Sequence, residues 1–254
     1  MNRELLKIEL LTKVFSNGKK ALDNVSLNIN RGDFIVLAGR NGSGKTVLMR
    51  HLNGLEEPTS GTVFLKGKPI KDNLEETRRT IGMVFQNADA QIIGATVEKD
   101  TAFGPENLKL DRDIIKERVE AALRATGLEE FNKRRPHTLS GGEKRRLAIA
   151  GVLAMEPEII VLDEPFTGMD WPGSSALLDI LDNLHKSGTT IILITHDLEK
   201  VLAHADRLVV MEEGKITADG TPEECIKIVE KAGIRRPNVP VELMSWKTMR
   251  KVNE

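Results

Sequence analysis

Apolar and polar residues alternate along much of the first third of the chain, as they do in half-buried β-strands. The alternation over 6–15 and over 21–29 predicts two strands, and the apolar run within 33–38 predicts a short buried one. Two further runs, at 62–65 and 79–85, predict additional strands. We therefore expect a small antiparallel sheet that leads into the buried strand at 33–38.

The middle of the chain has the spacing of helices instead. A short helix over 96–103 is expected to stop at the Gly-Pro pair at 104–105, because proline cannot continue a helix. Asp111 predicts the start of a longer helix, and another helix is predicted over 142–155. Since these helices interrupt the sheet segments, we predict an inserted helical subdomain from about 88 to 155.

The sheet resumes with a continuous apolar run at 159–162, which is typical of a parallel strand covered on both faces. A capping box at Thr221 and Glu224 predicts one last helix. We therefore predict an α/β protein with one large domain, residues 1–220, and a C-terminal helical extension over 221–254. Between the strand at 159–162 and this last helix, helices and strands are expected to alternate: helix 174–186, strand 189–194, helix 198–205 and strand 207–211.

The composition excludes several classes of protein. With 254 residues, of which 40% are hydrophobic, the chain can bury a sizeable core. Because 37 basic residues balance 38 acidic ones, the net charge gives no sign of polyanion binding. Cys225 is the single cysteine, so an intrachain disulfide is excluded and a reducing compartment is indicated. No apolar run approaches the ~20 residues of a membrane span, and no signal peptide is apparent, so we expect a soluble protein.

The segment Gly39-Arg40-Asn41-Gly42-Ser43-Gly44-Lys45-Thr46 matches the phosphate-binding loop G-x-x-x-x-G-K-[ST]. Its glycines let backbone N–H groups point at phosphate oxygens, and the following helix N-terminus favours negative charge. Lys45 is predicted to reach the terminal phosphates of a nucleotide, and Thr46 to ligate Mg²⁺. The alternative is a Gly-rich turn with a chance Lys-Thr pair, which leaves the flanking strand and helix unexplained.

A second constellation is Ser140-Gly141-Gly142-Glu143. Taken alone, Ser140 and Glu143 are best interpreted as a capping box before an apolar-periodic helix. The two glycines also favour an anion site, because they expose backbone N–H groups at a positively polarised helix end. We predict that the Ser140 helix of one subunit closes over the γ-phosphate of a nucleotide held by a second subunit.

Two adjacent carboxylates, Asp163 and Glu164, end the apolar run at 159–162. Open α/β sheets bind ligands at the carboxyl ends of their strands, and successive strand side chains point opposite ways. Asp163 is therefore predicted to face Mg²⁺ near Thr46, and Glu164 to face the water that attacks the γ-phosphate. The alternative is a polar turn before Pro165.

Four other residues are weaker candidates on spacing alone. His196 follows a predicted strand and can donate to the γ-phosphate or orient the water, although such a histidine is often a surface or capping residue. Gln86 can offer its amide oxygen to Mg²⁺ or to water, and a polar loop start is an equal alternative. Asp170 lies in a turn and can contact another subunit. Phe15 can stack on adenine, with core packing as an equal rival.

The order of these motifs resembles that of the ATP-binding-cassette (ABC) ATPases over residues 4 to 220. The resemblance implies a P-loop NTPase cassette with a mainly parallel core sheet, an N-terminal antiparallel β subdomain and the inserted helical subdomain. It also implies a head-to-tail dimer with two ATP molecules and Mg²⁺ at the seam. Six motifs carry it: Walker A at 39–46, the Q-loop at Gln86, the signature at 139–143, Walker B at 159–164, the D-loop at Asp170 and the switch histidine at His196.

The segments 84–93, 96–98 and 102–108 are similar to the energy-coupling-factor (ECF) importers of vitamins and to the related cobalt and nickel importers. This narrower resemblance implies an ATPase subunit that powers import of a vitamin or a transition-metal ion through a separate membrane subunit. It places a transmembrane coupling subunit near residues 86–108 and involves a substrate-binding membrane subunit only indirectly. The chain is then peripheral, on the cytoplasmic face of the membrane, beside an identical or paralogous ATPase subunit.

Two positions depart from these families. Glu143 stands where the signature usually has Gln, which keeps the capping box but is expected to weaken closure on a triphosphate. Ala88 stands where the importer group often has Pro, which is a milder change.

Other functions stay open. One is a soluble, non-transport ABC ATPase that acts on nucleic acid or ribosomes, although the balanced charge argues against a nucleic-acid partner. Another is a regulatory module with a dead site, which the intact Lys45, Asp163, Glu164 and His196 oppose. The extension over 221–254 resembles a dimerisation element of the importer group, and packing against its own chain is equally compatible.

Overall fold

Two β-sheets form the framework of the protein, and the computed structural model describes residues 4–247. The first sheet is antiparallel and contains, in spatial order, β2 (Lys20–Asn30), β1 (Glu4–Val14), β4 (Ser60–Leu65) and β5 (Lys68–Pro69). The second contains, in spatial order, β10 (Lys215–Gly220), β9 (Arg207–Glu212), β3 (Phe34–Ala38), β8 (Thr190–Thr195), β7 (Ile159–Asp163) and β6 (Ile81–Val84).

The second sheet is parallel except at its β10 edge. Strands β3, β7 and β8 are buried along their whole lengths, because apolar layers cover both faces of the sheet. Their carboxyl ends share one edge, since Ala38 pairs with Thr195 and Asp163 pairs with Ile194. The predicted α/β class, with an antiparallel sheet and a mainly parallel core sheet, is confirmed.

Seven α-helices accompany the sheets within residues 4–247. Helices α3, α4 and α5 pack on one another around their own apolar cluster and form the inserted helical part. Across the described residues, no helix combines the length and the apolar character needed to cross a membrane. The helices are α1 (Lys45–Leu52), α2 (Leu74–Thr80), α3 (Val97–Asn107), α4 (Arg112–Ala125), α5 (Gly141–Leu153), α6 (Trp171–Lys186) and α7 (Pro222–Cys225).

Helix α3 does not stop at the Gly-Pro pair, as the sequence had led us to expect. It continues through Pro105 to Asn107. The missing N–H of Pro105 removes one helical hydrogen bond. The apolar side of the helix, including Val97 and Ala102, packs in the same cluster as Leu147 of α5. Tertiary packing therefore outweighs the local break.

Three other expected boundaries were wrong. The run over 79–85 begins inside α2, and only its centre forms a strand. Two short 3-10 turns replace the helix expected over 198–205. Helix α6 begins at Trp171, before the expected 174, because the Asp170 carboxylate caps it by accepting a hydrogen bond of 2.9 Å from the Gly173 N–H.

The C-terminal segment begins with the expected helix but is less helical than the extension that we predicted over 221–254. Within its described part, 221–247, the single α-helix is α7, and the rest consists of turns, irregular stretches and a 3-10 helix at Val241–Leu243. Residues 248–254 of that extension lie outside the described residues, as do residues 1–3, and its predicted role as a dimer contact stays a prediction. Its buried apolar side chains join the core cluster of the parallel sheet: Ile226, Val229, Ala232, Ile234, Val241 and Met244.

Candidate functional site

The predicted phosphate-binding loop connects β3 to α1 at the carboxyl edge of the parallel sheet. Two of its glycines are required by close approach. At Gly44 the backbone has φ of 105°, and a Cβ there would lie 2.6 Å from the Ala21 carbonyl oxygen. At Gly39 a Cβ would lie 2.5 Å from the Met211 carbonyl oxygen. The loop therefore brings its backbone close to its surroundings in a way that side chains would prevent.

Lys45 is a buried cation at the first position of α1, with 6% of its surface exposed. Its Nζ donates to the carbonyl oxygens of Gly39, at 2.6 Å, and Arg40, at 3.0 Å. Burial lowers the pKa of Lys45, and the negative charges of Glu164 and Asp163 oppose that shift. Among the described residues, the hydrogen-bond partners of this ammonium are neutral carbonyl groups, so it is well suited to bind a phosphate, which supplies negative charge.

Asp163 and Thr46 meet beside this cation. The Thr46 hydroxyl donates to Asp163 Oδ2 at 2.9 Å, and Asp163 is 3% exposed. Burial raises the pKa of Asp163, although the hydrogen bond from Thr46 opposes the shift. The described residues contain no group of three or more His, Cys, Asp or Glu side chains that could hold a metal by themselves. A hydroxyl and one carboxylate fit Mg²⁺, because this ion takes its other ligands from water and phosphates.

Hydrogen bonds hold both the backbone and the carboxylate of Glu164. Its φ of 47° places the residue in the left-handed region, which costs about 1–3 kcal/mol and is often found at active sites. Its N–H donates to the Ile194 carbonyl at 2.8 Å. One carboxylate oxygen accepts from the Thr195 hydroxyl at 3.1 Å, and the other lies 2.7 Å from His196 Nδ1. The carboxylate and the imidazole are therefore oriented toward each other at the ends of β7 and β8.

A cavity of about 200 Å³ brings nine of the predicted site residues together. Its wall includes Gln86 beside the two carboxylates, and Phe15 at the side of the loop. The Lys13 ammonium lies 5.7 Å from the centre of the Phe15 ring. The predicted residues lining this cavity are Phe15, Asn41, Gly42, Gly44, Lys45, Thr46, Gln86, Asp163 and Glu164.

Five other predicted residues line a separate cavity of about 500 Å³, whereas Gly39, Arg40, Ser43 and His196 line neither cavity. It contains Ser140, Gly141, Gly142, Glu143 and Asp170, and it shares no lining residue with the cavity around Lys45. The folded chain therefore does not bring these residues to its own phosphate-binding loop. This separation is what the two-subunit prediction requires.

The Ser140 helix end also forms the capping box that its sequence predicts. The Ser140 N–H donates to Glu143 Oε2 at 2.6 Å, and the Glu143 N–H donates to the Ser140 hydroxyl at 3.3 Å. The backbone hydrogen bond from Ser140 holds the pKa of Glu143 below its usual value, so Glu143 is ionised at neutral pH. The Glu143 carboxylate, whose negative charge was expected to lie near a triphosphate, therefore accepts the hydrogen bond of the helix cap.

Sequence reasoning did not assign three residues that organise the site. Arg145 donates to the backbone carbonyls of Glu164, at 2.6 Å, and Gln86, at 2.8 Å. Gln91 holds the end of β6, because its amide donates to the Met83 carbonyl and accepts from the Phe85 N–H. Thr195 holds the Glu164 carboxylate. The one signal in the sequence was the basic run Lys144-Arg145-Arg146, and such a run does not specify the partners of Arg145.

Comparisons with known proteins agree with this geometry. The family model described as ABC transporter matches residues 22–167. The energy-coupling factor transporter ATP-binding protein EcfA of Methanocaldococcus jannaschii is 46% identical over 241 residues, covering 92% of this chain and 86% of that protein. CbiO1 of Clostridium perfringens, described as part of the ABC transporter complex CbiONQ, is 38% identical with a TM-score of 0.81, covering 99% of this chain and 95% of that one. A dimeric structure of a bacterial ABC transporter cassette is 29% identical with a TM-score of 0.78, covering 86% of this chain and 99% of that one.

Proposed function

We propose a transport function for this chain, because it belongs to the ABC transporter family and is an ATP-hydrolysing enzyme. Its similarity to an energy-coupling factor ATP-binding protein supports a subunit that powers import of a micronutrient, either a vitamin or a transition-metal ion, through a separate membrane subunit. In this role the chain lies peripherally on the cytoplasmic face of the membrane.

The observation that supports docking to a membrane subunit is an apolar groove of about 420 Å³ between the parallel sheet and the helical part. Three of its side chains are large, apolar and exposed: Leu55 by 48%, Ile93 by 62% and Phe103 by 48%. Contiguous exposed apolar surface marks a docking site. The transmembrane coupling subunit docks here, near residues 86–108, and the substrate-binding membrane subunit is reached only through it.

The cavity around Lys45 binds ATP in this proposal. Lys45 and the loop N–H groups bind the phosphates, and Phe15 stacks on the adenine. Mg²⁺, bound by Thr46, Asp163 and Gln86, would supply positive charge that offsets the charge developing on the γ-phosphate.

Glu164 and His196 carry out the proton and positioning chemistry. The Glu164 carboxylate accepts a proton from the attacking water, and its contacts with Thr195 and His196 hold it in position. His196 donates to the γ-phosphate or orients the water.

Two chains then act as a head-to-tail dimer. The Ser140 end of α5 in one subunit, with Gly141, Gly142 and Glu143, closes over the ATP held by its partner, and Asp170 contacts the other subunit. ATP drives a conformational change of the membrane partner because ATP binds the closed dimer better than the open dimer, so that hydrolysis of ATP reopens the dimer. The second ATPase subunit is identical or paralogous.

Glu164→Gln tests the catalytic part of the proposal. The variant keeps the shape of the side chain but loses its basicity, so we expect it to bind ATP with Mg²⁺, to stop hydrolysis and to accumulate as a dimer. Mass measurement in solution with and without ATP reads the result. A Glu164→Gln protein that stays monomeric with ATP while the wild type hydrolyses normally contradicts the role given to Glu164.

Ile93→Glu tests the docking groove, with Ile114→Glu as the matched control. Ile114 is also an exposed isoleucine, at 40%, but it lies on α4 outside the groove. Affinity purification from detergent-solubilised membranes should recover a multispanning membrane protein with the wild type and with Ile114→Glu, and lose it with Ile93→Glu. Recovery of RNA or ribosomal protein in its place would favour the non-transport alternative.

A further inference from the structure

Arg145 is a buried cation that the ATP chemistry proposed above does not use. It lies in α5 and is 8% exposed. Its two terminal nitrogens donate to the backbone carbonyls of Glu164, at 2.6 Å, and Gln86, at 2.8 Å. Among the described residues it forms no salt bridge, so neutral carbonyls are the partners of its charge. Burial lowers the pKa of Arg145, and the charges of Asp163 and Glu164 oppose that shift.

Within residues 4–247, the hydrogen bond from Arg145 is the one that reaches Glu164 from the helical part of the protein. The other hydrogen bonds of Glu164 come from Ile194, Thr195 and His196, at the end of β8 and just after it, and from the Thr167 N–H, which donates to the Glu164 carbonyl at 3.2 Å. Because Glu164 has the strained φ of 47°, its orientation depends on how its backbone is held on both sides. On the carbonyl side, the shorter of the two hydrogen bonds comes from the Arg145 guanidinium, at 2.6 Å, and the other from the Thr167 N–H, at 3.2 Å.

Helix α5 holds the Gln86 segment at two points. One is the contact of Arg145 with the Gln86 carbonyl, and the other is a salt bridge of 2.6 Å between Lys144 and Asp89. The side chain of Gln86 lines the nucleotide cavity with Glu164. A single helix turn therefore fixes the backbones of two residues that face the proposed γ-phosphate.

The same helix begins at the cap that faces the second cavity. Ser140 and Arg145 are five positions apart on an unbroken helix, roughly 7.5 Å along its axis. A helix moves as a rigid element over this distance, so a shift of the Ser140 end also shifts the guanidinium.

We propose that Arg145 is a positioning residue that couples the two nucleotide sites of the dimer. When the Ser140 end of α5 closes on the nucleotide held by the partner subunit, Arg145 sets the backbones of Glu164 and Gln86 around the nucleotide held by its own subunit. This inference rests on the proposed function, since it needs both the dimer and the catalytic role of Glu164.

Arg145→Met and Arg145→Lys test the coupling. Methionine removes both donors but keeps an unbranched apolar stem, whereas lysine keeps the charge without the two-pronged geometry. We expect Arg145→Met to lower kcat roughly 10- to 100-fold with little change in the KM for ATP, as residues that orient a catalytic group commonly do. The Hill coefficient for ATP should fall from above one towards one, and Arg145→Lys should lie between.

Arg118→Met is the matched control. Arg118 is another arginine of the helical part that donates to a backbone carbonyl, that of Met155, and it pairs with Glu156. It lines neither nucleotide cavity. Its replacement should leave kcat, KM and the Hill coefficient unchanged.

Several results would overturn the inference. The inference is wrong if the wild-type protein has a Hill coefficient of one. It is also wrong if a folded Arg145→Lys or Arg145→Met protein has the same kcat and cooperativity as the wild type. A fall in kcat with the Hill coefficient intact shows a local role without coupling. If Arg145→Met does not fold by circular dichroism, Arg145→Lys decides. Glu164→Gln measured in parallel separates the two hypotheses, because normal hydrolysis by that variant refutes the catalytic role that the proposed function gives to Glu164.

Discussion

Ser140 can be tested apart from its role as a helix cap, because the chain contains a second capping box of the same design. At α5 the Glu143 N–H donates to the Ser140 hydroxyl at 3.3 Å, and the Ser140 N–H donates to Glu143 at 2.6 Å. At α7 the corresponding distances between Thr221 and Glu224 are 3.4 and 3.2 Å. The two caps share the same pair of hydrogen bonds and differ in place, since Thr221 lines neither nucleotide cavity.

Ser140→Ala and Thr221→Ala should have the same effect on stability. Each removes one cap hydrogen bond and costs about 1 kcal/mol of the free energy of unfolding. A domain stable by about 5–15 kcal/mol stays almost entirely folded after such a loss. The cap alone therefore leaves ATP turnover unchanged.

The two variants should differ in ATP turnover. If the Ser140 hydroxyl also binds the γ-phosphate held by the partner subunit, its loss removes a hydrogen bond to a charged group. Such a bond contributes about 1.5–3 kcal/mol, which is roughly a 10- to 150-fold fall in kcat/KM. Thr221→Ala should keep the wild-type value.

The assay is steady-state ATP hydrolysis together with urea unfolding of the same preparations. Equal turnover by Ser140→Ala and Thr221→Ala would refute the reasoning, because Ser140 would then be a cap and nothing more. A fall in turnover that follows a much lower urea midpoint of Ser140→Ala would also refute it.

Two further predictions concern the C-terminal segment. Met244→Ala should lower the free energy of unfolding by about 2–5 kcal/mol, because Met244 is 1% exposed in the core, whereas Leu243→Ala, at a residue 49% exposed, should change it little; equal urea midpoints would contradict the packing seen for this segment. Although burial of Asp182 acts in the opposite direction, its hydrogen bond from Lys247 and the charge of His204 hold the pKa of Asp182 below its usual value. A carboxylate whose pKa is lowered on folding stabilises the protein at pH values above its unfolded pKa of about 3.9, and this contribution is lost as the pH falls through the folded pKa. Asp182→Asn should therefore weaken the acid dependence of stability below about pH 4. Unfolding curves at a series of pH values check this, and parallel curves for the two proteins would show that the carboxylate contributes nothing.

The sequence by itself determined the features that depend on neighbours in the chain. The phosphate-binding loop is such a feature, because its strand, its glycines and its helix start lie within a few residues of one another. The capping boxes at Ser140 and Thr221 follow from residues three positions apart, and both are formed. The period of the apolar residues was enough to predict an α/β protein with two kinds of sheet.

Only the tertiary structure decided which distant groups meet. Arg145 reaches the Glu164 carbonyl 19 residues away and the Gln86 carbonyl 59 residues away, and a basic run in a sequence does not specify such partners. Helix α3 continues through Pro105 because its apolar side packs against α5. The C-terminal segment buries Met244 without forming a long helix. Such contacts depend on how whole elements pack, and burial of apolar surface then overrides the local preferences that a sequence displays.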